Sequence, residues 1–224
     1  MNIHIAIDGP AASGKSTVAK LLASKLNGLY VNTGEMYRTI AAAAFKRNID
    51  PSANPQEIVK LLPEWTLEYR FIEEKGILEL FFNGEPVDRA FLRSKEVNDI
   101  VSQTACIPAV RDWMFQKQRD CMKFPIIIME GRDIATVILP NTPYKFFVTA
   151  SAKVRAERRI KQGEFPGMTL EQAIDAIERR DHIDSTRPVA PLKPAPDSII
   201  VNTDDMTPDE VADYIIATIK KMQQ

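Results

Sequence analysis

The stretch "IAIDGPAASGKSTVAK", residues 5–20, constrains the fold of this chain more than any other feature. A short apolar run leads to Gly9, four further residues, and then Gly14, Lys15 and Ser16, after which apolar residues recur at helical spacing. Glycines so placed let backbone N–H groups turn toward phosphates, and the positive end of the next helix adds to the attraction. The spacing predicts a strand, a phosphate-binding loop and a helix, with Lys15 on the β- and γ-phosphates and Ser16 on Mg²⁺.

Short apolar runs elsewhere in the chain predict buried strands of a parallel sheet. They are residues 3–7, 29–31, 126–129, 146–149 and 199–201. Helical patterns lie between these runs. The last one opens on a capping box of Thr207 and Glu210 and places Val211, Tyr214, Ile215 and Ile219 on one face. The alternation predicts an α/β fold, with a P-loop NTPase-type parallel sheet flanked by helices.

Two segments interrupt this alternation. Residues 64–90 alternate apolar and polar positions and contain Asn83-Gly84, which predicts a small antiparallel β insert. Residues 151–190 predict an arginine-rich pair of helices, the second capped by Thr169 and Gln172. The proline-rich residues 187–196 predict an extended return to the final strand.

Charge and composition exclude several classes of function. The chain of 224 residues has 29 basic and 30 acidic side chains, so an anion site has to be built locally. No apolar run approaches the roughly 18 residues of a membrane span, and the first residues lack a secretion signal. Cys106 and Cys121 have neither metal-ligand nor Cys-x-x-Cys spacing. We therefore expect a cytoplasmic protein that binds neither nucleic acid nor membranes.

Arginines cluster in the predicted helical pair and after two strands. Helical spacing brings Arg155, Arg158 and Arg159 together, and a second cluster contains Arg179, Arg180 and Arg187. Arginine forks stabilise the charge of a phosphoryl group in transfer, whereas a surface pair of helices would salt-bridge them to Glu157, Glu178 and Asp181. "MEGRD", residues 129–133, and "NTGEMYR", residues 32–38, follow strands, where α/β sheets gather ligands. There Glu130 or Asp133 suits Mg²⁺-bound water, Arg132 suits a phosphate, and Tyr37 and Arg38 face the same crevice.

The segments "GPAASGKST", "TGEMYR", "SQTACIPAVR", "EGRDIAT" and "RRDHIDSTRPVAPL" follow one another in this order. Together they resemble the bacterial cytidylate kinases, a branch of the nucleoside monophosphate kinases, over essentially the whole chain. The resemblance implies that ATP and Mg²⁺ convert CMP or dCMP to the diphosphate. It also implies three parts: a core of residues 1–34, 94–150 and 190–224, a monophosphate-binding region with the β insert, residues 35–93, and a lid, residues 151–189.

The resemblance also assigns residue roles. ATP would contact Gly9, Pro10, Ala11, Ala12, Ser13, Gly14, Lys15, Ser16 and Thr17. CMP would contact Thr33, Tyr37, Arg38, Ser102, Arg111, Arg132, Asp133, Asp184 and Arg187. Arg38 and Arg132 would hold the acceptor phosphate, Ser102, Arg111 and Asp133 would read cytosine, and Asp184 and Arg187 would contact the sugar side. Lys15, Arg132, Arg158 and Arg180 would be catalytic, the last two from the lid. This chain departs from the family pattern at two positions, because Asn32 and Glu130 stand where the pattern has aspartate.

Base chemistry supports the cytosine assignment, because a carboxylate accepts from the exocyclic amine of cytosine and repels the carbonyl of uracil. Two alternatives stay open. One is a P-loop kinase for another small acceptor, such as UMP, AMP or shikimate. The other is a nucleotide-dependent switch, although "VNTDD", residues 201–205, lacks the lysine of a guanine-reading Asn-Lys-x-Asp segment. The expected partners are small molecules, and a monomer is expected.

Overall fold

The computed structural model describes residues 2–223 of the chain. It divides into two compact units, Met1–Tyr30 with Phe124–Gln224, and Val31–Lys123. We call the first the P-loop unit and the second the inserted unit. The predicted division into core, monophosphate-binding region and lid stays a prediction.

A five-stranded sheet forms the centre of the fold, in the order β2-β6-β1-β7-β8. The strands are β1 (Ile3–Asp8), β2 (Leu29–Asn32), β6 (Ile126–Gly131), β7 (Tyr144–Thr149) and β8 (Ile199–Asn202). Pairing is parallel between β1 and β6, β1 and β7, and β7 and β8. Each predicted run is confirmed as a strand. The burial expected of such runs fails in β8, where Ile200 is 61% exposed. The central strand β1 carries the phosphate loop.

Helices α1 (Lys15–Lys25) and α8 (Pro208–Met222) pack together over one part of this core. The capping box of Thr207 and Glu210 is confirmed at the start of α8. Tyr214, which the sequence pattern places on one face with Val211, Ile215 and Ile219, is 46% exposed and lies at the edge of that face. Val211, Ala212, Ile215 and Ile219 form the buried face. Ala212 shifts that stripe around the helix, away from Tyr214.

The arginine-rich segment forms two helices, α6 (Ala152–Lys161) and α7 (Leu170–Thr186). They pack on each other through Ala156, Ala173 and Ile177. The capping box of Thr169 and Gln172 is confirmed at the start of α7. Residues 187–196 contain no helix or strand, in agreement with the predicted return to β8.

The inserted unit combines helices with a small antiparallel sheet. Its elements are α2 (Thr33–Phe45), α3 (Pro55–Leu61), β3 (Leu67–Ile72), β4 (Ile77–Phe82), β5 (Glu85–Pro86), α4 (Lys95–Cys106) and α5 (Pro108–Arg119). The sheet order β3-β4-β5 confirms the predicted insert. Asn83 and Gly84 join β4 to β5 with φ of 50° and 87°, the positive values that a two-residue type I′ hairpin requires. No helix within residues 2–223 is long and apolar enough to cross a membrane.

Candidate active site

The phosphate loop connects β1 to α1 through two glycines that the geometry requires. Gly9 has φ of 152°, and a Cβ there would lie 1.9 Å from the carbonyl oxygen of Val148. Gly14, with φ of 92°, caps α1 without a side-chain hydrogen bond, and the first turn of α1 has no acidic residue. The N-terminus of α1 therefore retains the donors and the positive potential that bind an anion.

Side-chain donors engage three carbonyl groups of the loop. Lys15 Nζ donates to Pro10 over 2.7 Å, Arg155 Nη1 to Ala11 over 3.3 Å, and Thr203 Oγ1 lies 3.1 Å from the Ser13 oxygen. In a trans peptide the carbonyl and the next N–H point in opposite directions. The N–H groups after the Ala11 and Ser13 carbonyls consequently point away from Arg155 and Thr203, which leaves them available to a phosphate.

Other polar atoms of the loop also fit a phosphate ligand. The Ser13 hydroxyl is buried, and within residues 2–223 it has no hydrogen-bond partner. Ser16 and Thr17, in the first turn of α1, are exposed. A hydroxyl in that turn is placed to bind a metal ion that also binds the phosphates.

Three cations lie close together at the loop. Burial lowers the pKa of Lys15 to about 7, and the positive charges of Arg132 and Arg180 act in the same direction. Burial also lowers the pKa of Arg180, again with Arg132 contributing. The Arg180 Nε is buried and has no hydrogen-bond partner within the described residues. Lys15 is buried, Arg132 and Arg180 are half-buried, and the carboxylates of Glu130 and Asp8 offset part of the effect of the arginines on Lys15. Cations that repel one another in this way form a site for a polyanion, because a bound polyanion removes the repulsion.

The register of the sheet positions Arg132. Pairing of β1 with β6 sets Asp8 beside Gly131, so Arg132 follows the strand next to the phosphate loop. Arg132 Nε donates to Asp184 Oδ2 over 2.8 Å. Burial acts to lower the pKa of Arg132, but Asp184 outweighs this effect and raises it. Burial acts to raise the pKa of Asp184, and the neighbouring arginines lower it below its ordinary value. Both groups are therefore charged, and Asp184 orients the guanidinium.

A second buried ion pair lies next to the first. Arg187 Nη2 is 3.5 Å from Asp133 Oδ1, and Arg187 Nε donates to the carbonyl of Ala190 over 2.7 Å. The structure thus brings together four residues of the sequence prediction, Arg132, Asp133, Asp184 and Arg187. They belong to segments about fifty residues apart, which the ion pairs Arg132–Asp184 and Asp133–Arg187 join.

The two positions that depart from the family pattern have local roles. The carboxylate of Glu130 accepts a hydrogen bond from the Tyr30 hydroxyl over 2.5 Å and is buried. Asn32 caps α2, where its side chain accepts from the N–H of Glu35 over 3.2 Å. An asparagine at this position therefore serves as an N-cap without adding a charge.

The remaining arginines of α6 and α7 divide between the two sequence interpretations. Arg155 pairs with Asp181 at 2.6 Å, and Arg159 pairs with Glu164. The Arg155 pair uses the expected Asp181, but Arg155 is buried and also binds the phosphate loop, so it does not form the surface salt bridge of the alternative. Arg159 pairs with Glu164 in place of the expected Glu157 and Glu178. Arg158 instead binds Thr203. Arg179 is exposed.

In the inserted unit, the predicted residues lie on three helices. Arg38 of α2 donates to the Leu92 carbonyl and to Asn98 Oδ1, each over 2.8 Å. The guanidinium of Arg111 on α5 lies 5.4 Å from the ring centre of Tyr37 on α2. Thr33, Tyr37, Ser102 and Arg111 are buried, whereas Arg38 is half-buried. Buried charged and aromatic groups held in this way are rigid enough to recognise a ligand.

The sequence analysis missed Asp8, the last residue of β1. Its two carboxylate oxygens accept from the N–H groups of Ile134 and Ala135 over 2.8 and 2.7 Å. Asp8 thereby joins the start of the phosphate loop to the turn that follows Arg132 and Asp133. An aspartate at the end of an apolar strand was the one available signal, but its partners are 126 and 127 residues away.

Asp8 should make stability depend on pH. Burial raises its pKa from 3.8 to about 7 and Asp133 adds to the rise, while the two N–H groups and Lys15 act against it. Between about pH 4 and 7 the folded state then holds a proton that the unfolded chain has lost, so stability falls as pH rises. We expect this group to contribute a slope of roughly −1.4 kcal/mol per pH unit.

The Asp8→Asn variant should lack this contribution. Urea unfolding gives the free energy of unfolding of both proteins across pH 4–7. The difference between the two free energies isolates the contribution of Asp8 from those of other titrating groups. A free-energy difference that stays constant across this range would contradict the raised pKa.

These features define a class of protein. A phosphate loop on the central strand of a parallel sheet, with converging arginines, is the site of a P-loop enzyme that acts on nucleotide phosphates.

Comparisons with known proteins identify the family. The family model described as "Cytidylate kinase" matches residues 5–221. The chain is 40% identical over 223 residues to the cytidylate kinase of Clostridium botulinum (strain Langeland), covering 99% of each chain. It is 42% identical over 226 residues to that of Limosilactobacillus reuteri (strain DSM 20016), covering 99% of this chain and 96% of the relative. The chain therefore belongs to the cytidylate kinase family, and it is an ATP-dependent nucleoside monophosphate kinase that phosphorylates CMP or dCMP.

A solved structure agrees with the fold. The crystal structure of an uncharacterized protein from Eubacterium ventriosum superimposes with a TM-score of 0.53 at 18% identity, and 99% of each chain is covered. At this identity the likeness concerns the fold alone.

Proposed function

We propose that the γ-phosphoryl of ATP passes directly, in line, to a phosphate oxygen of CMP or dCMP at the site built around Lys15, Arg132 and Arg180. The observation that carries this proposal is the group of three cations, Lys15, Arg132 and Arg180, beside a loop whose Ala11 and Ser13 carbonyls are bound by other side chains. No general base is required, because the phosphate oxygen of the acceptor is already anionic. Catalysis then consists of positioning and of electrostatic stabilisation of the transferring group.

The donor half of the reaction uses the phosphate loop. We assign ATP binding to residues 9–17, with Lys15 moving from the Pro10 carbonyl onto the β- and γ-phosphates. Mg²⁺ fits this site through the exposed hydroxyl of Ser16. Within residues 2–223 no group of three His, Cys, Asp or Glu side chains could hold a metal ion alone. Magnesium at such a site keeps several waters and binds mainly phosphate oxygens, whose charge it neutralises.

The residues assigned to the acceptor are taken unit by unit. In the P-loop unit, we assign the CMP phosphate to Arg132, the cytosine amine to Asp133 and the sugar side to Asp184 and Arg187. The ion pairs Arg132–Asp184 and Asp133–Arg187 support this assignment, since they fix the four side chains before CMP binds. In the inserted unit, we assign the phosphate to Arg38 and the base to Ser102 and Arg111, with Thr33 and Tyr37 lining the site.

The lid would supply further charge. We assign Arg158 and Arg180 to the transferring phosphoryl group. The Nε of Arg180, which has no hydrogen-bond partner among residues 2–223, supports this role. Residues 151–189 would close over the site and exclude water, which would otherwise hydrolyse ATP. The separate small core of α6 and α7 is consistent with movement of this segment as one body. We propose a monomer that acts in the cytoplasm, where its nucleotide substrates are found.

An acceptor panel tests the choice of substrate. We expect ADP release to be stimulated by CMP and dCMP with ATP and Mg²⁺, and by UMP at least about 10-fold less, because Asp133 repels the uracil carbonyl. A coupled ADP assay with CMP, dCMP, UMP, AMP and shikimate makes the comparison. The Asp133→Asn variant should narrow the ratio between CMP and UMP. If CMP did not stimulate ADP release, or if CMP and UMP gave equal rates, the assignment of CMP as the acceptor would be rejected.

A further inference from the structure

Thr203 has no assigned role in the reaction, although it lies at the phosphate loop. It directly follows β8, within the segment "VNTDD", and its side chain is buried. Its backbone N–H donates to the carbonyl of Thr149 over 2.9 Å, which continues the pairing of β8 with β7. The residue is therefore held firmly at the edge of the loop.

The hydroxyl of Thr203 joins three separate segments. Oγ1 lies 3.1 Å from the Ser13 carbonyl oxygen and 3.2 Å from that of Thr149. A hydroxyl has one proton and two acceptor lone pairs. The proton is shared between these two carbonyl oxygens, and a lone pair remains to accept a hydrogen bond from a donor. That donor is Arg158 Nη1, at 3.0 Å.

Arg158 binds Thr203 through both of its terminal nitrogens. Nη2 donates to the Thr203 carbonyl over 2.7 Å, in addition to the bond from Nη1 to the hydroxyl. A guanidinium fork that makes two bonds to one residue is fixed in orientation as well as in position. It is also close to the loop, because a Cβ at Gly14 would meet Arg158 Nη1 at 3.8 Å.

We propose that Thr203 is a positioning residue of the nucleotide site, and this proposal rests on the proposed function of the phosphate loop. Its hydroxyl holds the Ser13 carbonyl outward, so the N–H of Gly14 in the same trans peptide points inward to the phosphates. The same hydroxyl and the backbone carbonyl hold Arg158 beside the loop. Arg155 holds the Ala11 carbonyl by a direct hydrogen bond, whereas the Ser13 carbonyl is held by the hydroxyl of Thr203.

Nucleotide binding by side-chain variants tests this inference. Thr203→Val keeps the shape of the side chain and removes the hydroxyl, while Thr203→Ser keeps the hydroxyl. Thr218→Val is the matched control, because the Thr218 hydroxyl donates within α8, to the carbonyl of Tyr214. Isothermal titration with ADP and Mg²⁺ gives the Kd without any acceptor, so this arm remains informative even if CMP is not the substrate. Steady-state kinetics then give the KM for ATP and for CMP.

We expect Thr203→Val to weaken ADP binding about 10-fold or more, because the buried Ser13 carbonyl loses its donor and is free to rotate. The KM for ATP should rise in parallel, and the KM for CMP should change less than about two-fold. Thr203→Ser should stay within about three-fold of the wild type. Wild-type ADP affinity in Thr203→Val, or an equal rise of both KM values, would overturn the proposal. A ten-fold loss in Thr203→Ser would overturn it too, and this result does not depend on whether the valine variant folds.

Discussion

Replacing Lys15 by alanine is expected to lower kcat by about 10²-fold or more, the usual cost of losing a preorganised charge-stabilising donor. Lys15 is buried beside Arg132 and Arg180, and ATP would bring several negative charges to this place. Without the ammonium group, the developing charge on the γ-phosphoryl loses its nearest cation from α1. A coupled ADP assay at saturating ATP and CMP measures the loss.

The stability of the Lys15 variant should move in the opposite direction. The charge of Lys15 is penalised by burial and by two neighbouring arginines, so a neutral side chain relieves a cost that the wild type carries. We therefore expect Lys15→Met, which retains the length of the side chain, to unfold at the same temperature as the wild type or higher while remaining inactive. Lys25→Met is the matched control in the same helix, since Lys25 pairs with Asp209 and Asp213 at the surface. Near-normal turnover in folded Lys15→Met would remove Lys15 from the mechanism.

Replacing Arg132 by alanine is expected to lower kcat by about 10²-fold or more and also to destabilise the protein. The two effects have different causes. Turnover falls because the guanidinium no longer orients the acceptor phosphate. Stability falls by about 3–5 kcal/mol because the buried carboxylate of Asp184 loses its hydrogen-bonded partner.

A double variant separates these effects. Arg132→Ala with Asp184→Asn removes the carboxylate that has lost its hydrogen-bonded partner, so thermal unfolding should recover much of the lost stability while turnover stays low. Arg179→Ala is the matched control, because Arg179 is an exposed arginine of α7. If turnover returned together with stability in the double variant, Arg132 would have a structural role only.

The sequence predicts the elements of this fold well and the contacts within its site poorly. Apolar runs and capping boxes are local patterns, and the five strands, the β insert and the α6–α7 pair follow from them directly. Tyr214 shows the limit of that approach, since the exact edge of a buried stripe depends on what packs against it. The hydrogen bonds to the loop carbonyls could not be predicted from local patterns, because Thr203 is 190 residues from Ser13 in the chain.

The candidate site divides in the same way. Lys15, Ser16 and the glycines are predicted by their spacing, and the arginines of the P-loop unit are predicted by their clusters and by resemblance. Their partners are not, since Asp184 is 52 residues from Arg132 and Asp8 is 126 residues from Ile134. A contact between a carboxylate and a donor that is distant in the sequence produces no periodic pattern from which it could be predicted.

The direct pairing of β1 with β6 has a geometric consequence. The two segments that would hold donor and acceptor phosphates leave adjacent strands, so about 4.8 Å of sheet spacing sets their separation. The whole inserted unit lies in the chain between those strands. A change of length within this intervening segment does not by itself alter the register of Asp8 with Gly131, so the spacing of the two strands is independent of that length.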